Sequence, residues 1–263
     1  MSLLLAWAAM AAQAAPPPNL SEAAHAIEAH RFIQARKMLS DAMAAGEKGP
    51  EVDRLLADLA FEDGKWTEAD ARYSKLLEAN PEDWRSAERA GLAKIMTGDT
   101  TRARELIKKA IASGHASWHA WNGLGVLCDM DRDWDGADAA FASADELSPS
   151  EPEVLNNRGW SLLLRGQWAS AIDILQKAVS LDPKSTRAAN NLELAKAAVA
   201  AELPQRRKGE NDPDFAARLN DAGVVAEQGG NTTRAVAAFT QALEVNDSWY
   251  ARAANNLKAV QPQ

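Results

Sequence analysis

Alanine recurs at Ala35, Ala69, Ala103, Ala137 and Ala171, always 34 residues apart. The positions seven further on keep the same step with small or apolar residues: Ala42, Leu76, Ala110, Ala144 and Ala178. Gly91, Gly125 and Gly159 form another column, and Pro81, Pro149 and Pro183 fall at multiples of the same period. Several independent columns held in register over five copies mean an array of one supersecondary unit rather than a single globular core. The residue mix says which unit. Ala, Leu, Glu and Arg dominate, Tyr and Phe are few, and long Val/Ile/Thr alternations are absent, so the elements are helices.

Each unit reads as a helix, a tight turn and a second helix. Gly64, Gly98, Gly166 and Gly230 fall at the turn, where a helix commonly ends in a left-handed residue. The glycine of the first helix is expected to face the alanine of the second, since bulk at either would push the axes apart. Tyr73, Ile107, Phe141, Leu175 and Phe239 are expected to fill the seam against the next unit. Prolines end the second helices, and Ser150-Glu-Pro-Glu153 has capping-box spacing to start the next one.

The copy Trp121-x-x-Leu124-Gly125-x-x-Cys128, Ala137-x-x-x-Phe141, Pro149 resembles the tetratricopeptide repeat, with Cys128 at the family's Tyr position. The resemblance covers nearly everything after residue 20 and implies an all-α, right-handed superhelix of helix-turn-helix repeats. Five repeats and the first helix of a sixth are expected over 20–200. A polar, proline-broken loop follows over 201–214, then a further repeat with a closing helix over 215–263, its alanine about four residues out of register.

Residues 1–15 combine a short apolar run, LLLAWAAM, with Ala12-Gln13-Ala14, the pattern of a cleaved export signal. The expected location is then periplasmic or outer-envelope associated, or cytoplasmic if the segment is not a signal. The run is too short for a transmembrane span. The formal charge of −8, with both signs interspersed, argues against nucleic acid as partner and shows no polybasic membrane patch.

No P-loop, dinucleotide fingerprint, nucleophile elbow, zinc-protease motif or Cys pair is present, and the reading is a noncatalytic chain without cofactor or metal. His115 and His119 are spaced i, i+4, but His115 sits where a helix terminator belongs, and no third ligand is near. The Gln205-Arg-Arg-Lys run reads as a solvated loop, with contact to an acidic partner as the other reading.

In this family the first helices line a groove that holds another protein or an extended peptide. Carried over by column, the resemblance places Asn122, Val126, Asn156, Asn157, Trp160, Arg187, Asn190, Asn191, Leu194, Asn220, Asp221, Val224, Asn255 and Asn256 there. Asn122, Asn157, Trp160, Arg187, Asn191, Leu194 and Asn220 are the candidate contacts. The asparagines have two readings: their amides can offer donor and acceptor to a peptide backbone, or can tie neighbouring first helices together. Adjacent asparagines point about 100° apart on a helix, so one of each pair faces the groove and the other its neighbour. Trp160 is the aromatic whose column points to a ligand anchor in the groove, with packing between repeats as its other reading. The Ala-rich leader and RAANNLELAK are also similar to the repeat proteins of tight-adherence (Flp-type) pilus assembly. The expected function is therefore a binding scaffold in pilus or secretion assembly. The alternative is an accessory or regulatory subunit of an envelope enzyme such as a glycosyltransferase or cell-wall factor.

Overall fold

In the computed structural model, residues 20–200, 202–245 and 250–260 are described, and the expected export signal lies outside them. Among the described residues all regular structure is helical: α1 (Leu20–Glu28), α2 (Phe32–Ala44), α3 (Pro50–Glu62), α4 (Trp66–Ala79), α5 (Trp84–Thr97), α6 (Thr100–Ala112), α7 (Trp118–Met130), α8 (Trp134–Leu147), α9 (Pro152–Leu164), α10 (Trp168–Leu181), α11 (Thr186–Ala200), α12 (Asp212–Gln228), α13 (Thr232–Val245) and α14 (Ala251–Val260). The chain divides into two compact units, residues 1–106 and 107–263.

The turn inside each hairpin is built one way throughout. His30, Gly64, Gly98, Arg132, Gly166 and Gly230 all have left-handed φ, between 53° and 86°. The amide of the following residue reaches back five residues: Arg31 to Ala26, Lys65 to Ala60, Asp99 to Lys94, Asp133 to Cys128, Gln167 to Leu162 and Asn231 to Ala226, at 2.8–3.0 Å. This bond satisfies a carbonyl that the ending helix leaves open. Glycine adopts the conformation cheaply, so its recurrence here was legible; His30 and Arg132 hold it without that advantage.

In the first unit, α1 and α2 pack through Ala23, Ala26, Ala35 and Leu39, with Leu59 of α3 closing the cluster. Next, α3, α4 and α5 share Ala57, Ala60, Ala69, Tyr73, Ala90 and Ala93. Tyr73 is fully buried, and its hydroxyl donates to Asp58 at 2.5 Å. Across repeats, Arg54 pairs with Asp83 at 2.6 Å, and buried Lys94 with Asp70 at 2.8 Å.

In the second unit, a Cβ added to Gly125 would lie 2.5 Å from Phe141, one on Gly159 2.5 Å from Leu175, and one on Gly223 2.4 Å from Phe239. The glycine of the first helix therefore faces the large residue of the second, not its alanine. The expectation had the wrong partner. Phe141, Leu175 and Phe239 fill their own hairpin, pressed against a first helix that has no side chain at that point. The Phe141 cluster also reaches Val154 of the next repeat, so the seam is filled from the same residue. The expected capping box is likewise absent: Ser150 has φ +64°, its amide donates to Asp145, and Glu151 stands at the N-cap with its side chain on Ser148 rather than on a helix amide.

After α11 the second helix of the sixth repeat is missing, and α12 lies beside α11 in the same direction. Arg218 reaches Glu193, while Ala222 and Val225 pack with Leu194, Ala195 and Ala198. Residues 202–211 bring the chain back. Ten extended residues can span about 33 Å, enough to retrace a fifteen-residue helix of about 22 Å. The segment is an extended strap doing the topological work of a helix, which accounts for the shortened register. α12 begins at Asp212, capped by Asn211, inside what reads from sequence as loop.

The strap is strongly held. Arg218, 4% exposed, donates to both Glu210 oxygens at 2.8 and 2.9 Å and to Glu193. Arg207 bonds Glu193 through Nε at 3.0 Å and Asn190 at 2.7 Å. Arg206 pairs with Asp212 at 2.5 Å and lies over the Phe215 ring. Arg206 and Arg207 are thus engaged within the chain while remaining at its surface. Arg234 of α13 donates to the Ala197, Ala198 and Glu202 carbonyls, closing the C-terminus of α11 where the helix dipole is negative.

Candidate functional site

The first helices α7, α9, α11 and α12 stack side by side within the second unit, and their asparagines meet there. Asn191 Nδ2 donates to Asn156 Oδ1 at 2.9 Å, and Asn156 Nδ2 to Asn157 Oδ1 at 3.2 Å. Asn157 Nδ2 then donates to Asn122 Oδ1 at 3.1 Å, and Asn122 Nδ2 to Glu153 Oε1 at 3.1 Å. The row runs from α11 through α9 to α7, and its last amide, on Asn122, donates back to the Glu153 carboxylate at the start of α9. Aligned amides polarise one another, which strengthens each bond. A second, shorter link joins Asn256 Nδ2 to Asn220 Oδ1 at 2.9 Å, tying α14 to α12.

These bonds are of the kind that ties neighbouring first helices together. Asn122, Asn156, Asn191 and Asn220 are buried, between 1% and 8% exposed, and tie first helices together. Asn122 and Asn220 are therefore not groove contacts, a correction to the expected set. Leu194 is corrected too: it is 3% exposed and packs with Leu163, Leu175 and Ala195, because stacking α12 onto α11 covers the face it occupies. Asn157 is half-buried and mostly engaged in the row.

What remains open is a cavity of about 260 Å³ lined by Asn156, Asn157, Trp160, Arg187, Asn191 and Asp221. Trp160 is half-buried, with its inner edge against the α9–α12 core. Arg187 opens α11, is exposed, and lies close enough to Glu153 to pull that carboxyl down. Enclosure outweighs that pull and leaves Glu153 above its ordinary range. Asp221 of α12 stands on the opposite wall. Burial pushes its carboxyl up, against a weak bond from Asn220 Nδ2 at 3.4 Å and the charge of Arg252. Trp160, Arg187, Asn191 and Asp221, all placed in the groove by their sequence columns, line this one cavity. The columns carried no signal that Asp221, rather than its neighbour Asn220, would face the cavity.

Outside the cavity, Asp129 of α7 is 7% exposed and accepts from Ser161 Oγ at 2.6 Å. Arg165 bonds Ser161 Oγ at 3.0 Å and both Asp138 oxygens at 2.7 Å. Burial raises the Asp129 carboxyl to about 6. His115 precedes α7 while His119 lies in its first turn, so the pair does not share a helical face. Among the described residues, no group of His, Cys, Asp and Glu is arranged to hold a metal, and no helix is long and apolar enough to cross a membrane.

Two tetratricopeptide-repeat family models match, one over residues 54–114 and 89–152, the other over 152–185. The chain belongs to the tetratricopeptide-repeat family. Its solved structural relatives agree on the fold. The hetero-tetramer Cut9–Hcn1 of the APC/C is similar at TM-score 0.63 and 15% identity, covering 92% of this chain and 48% of that one. This tetratricopeptide-repeat chain thus spans about half the length of that relative. PilW, a type IV pilus biogenesis factor, matches at TM-score 0.54 and 16% identity, covering 92% of this chain and 96% of its own. A tetratricopeptide-repeat protein from Parabacteroides merdae matches at TM-score 0.54 and 15% identity, with the same coverage. At these identities the likeness is one of fold. No curated protein sequence matches the chain.

Proposed function

We propose that this chain is a noncatalytic scaffold that holds a segment of another protein in the cavity between α9, α11 and α12. The observation that carries the reading is the contrast within one surface. Asn122, Asn156, Asn157 and Asn191 use their amides within the row, whereas Arg187 stands exposed, with no hydrogen bond or ion pair among the described residues, beside the half-buried ring of Trp160. A cation and an aromatic face left over from the fold are groups that bind something else. The bonded row behind them keeps the wall rigid, which lowers the entropy lost on binding.

The setting we propose is the bacterial envelope, in pilus or secretion assembly, resting on the resemblance of the leader and of RAANNLELAK. Crosslinking and mass spectrometry in the native host test both parts. An Arg187→Glu variant with wild-type helicity should lose a crosslinked partner that the wild type retains; equal retention would refute the groove. The mature N-terminus should lie at Ala15 or just after it, and a full-length cytoplasmic chain would refute export.

A further inference from the structure

The cavity itself says what the bound segment carries. Arg187 is exposed on one rim and free to turn toward water, so a charge pair there is weak. Asp221 differs in kind. It sits partly buried on the wall of the cavity, on a helix locked by the Arg218 ion pairs and by packing against α11. Among the described residues no ion pair is formed by its carboxylate, Arg252 acts on it only as a neighbouring charge, and its one hydrogen bond is the 3.4 Å contact from Asn220. A carboxylate taken out of water without a close cation is costly, and a cation entering the same space recovers much of that cost. Trp160 lines the same cavity, and an indole face attracts Lys or Arg more strongly than any other ring does. The volume of about 260 Å³ has room for one long side chain rather than a folded element. The chain as a whole carries −8, which steers basic segments toward it.

We propose that the cavity takes a single basic side chain, Lys or Arg, from the partner segment, with Asp221 as its counter-charge and Trp160 as its wall. Arg187 on the rim is left for carbonyl groups of the partner's backbone. The proposal rests on the groove reading above and adds the chemistry of the occupant.

Selection from a random twelve-residue peptide library on phage, against the whole chain, tests it. Peptides retained by the wild type should carry Lys or Arg at one common position. A synthetic copy should bind Asp221→Asn about tenfold to a hundredfold more weakly, the loss expected when a hydrogen bond to a charged group is truncated. Replacing its basic residue by Met should have the same effect on the wild type and little further effect on Asp221→Asn. Selected peptides that bind competitively at Trp160 but lack a basic residue, or that ignore Asp221→Asn, overturn the basic anchor and leave the groove standing. Peptides that bind Trp160→Ala and Arg187→Glu as well as the wild type overturn the groove itself. Circular dichroism of each variant separates these outcomes from loss of fold.

Discussion

Arg132 holds a left-handed backbone at φ 60° where the other turns of its column mostly use glycine. That conformation costs a residue with a Cβ about 1 kcal/mol or more. Arg132→Gly should therefore raise stability by about 0.5–1 kcal/mol in thermal or urea unfolding, while Arg132→Ala, which keeps the Cβ, should not. Gly223→Ala should do the reverse, costing about 1–3 kcal/mol, because the new methyl would sit 2.4 Å from a Phe239 ring that is itself fully buried. Asp129 has a pH signature. Its carboxyl is raised from 3.8 to about 6 by burial, so between those values the folded state keeps a proton that the unfolded chain has released. Its contribution to stability falls as pH rises through that window. Asp129→Asn cannot pay this cost, so its melting temperature relative to wild type should be higher at pH about 7 than at pH about 4.5; an unchanged difference would contradict the raised carboxyl.

At the scale of elements, the strap at 202–211 depends on charge where its neighbours depend on apolar helix faces. Burial works to raise the Glu210 carboxyl, but the Arg207 amide and the Arg218 guanidinium outweigh it and hold it below the ordinary range. Arg218→Met leaves Glu210, with a side chain only 7% exposed, without its partner, a loss of about 3–5 kcal/mol for a buried pair. Trypsin should then cut the strap after Arg206, Arg207 or Lys208 much faster than in the wild type, while the α1–α5 hairpins resist equally. The hairpins were legible in sequence because the 34-residue step places turn glycine, alanine and seam residue at constant offsets. The strap was legible only as a polar break. Its structure comes from Arg218 and Glu193, 25 residues apart, and no local pattern announces that pairing. The partner of Gly125 was misread for a related reason: the alanine and the aromatic lie four apart on one helix face, and only the packed interaxial geometry selects between them.

Over the whole molecule, repeats of this kind are stabilised by neighbours, so damage spreads locally. Hydrogen exchange on Gly223→Ala should show lost protection centred on α12 and α13, with amides of α3 and α4 unchanged; uniform loss across the chain would mean a single cooperative core. The amino-acid sequence alone determined the helical class, the repeat length, the turn conformations and the columns from which a groove is made, since each follows from periodicity and backbone preference. Tertiary structure decided which members of those columns are available. Neighbours on a helix differ by about 100°, so Asn220 turns inward to Asn256 while Asp221 faces the cavity, and Leu194 is covered once α12 stacks on α11. Whether a polar side chain is bound or free depends on what stands across from it, and that is settled only when distant helices meet.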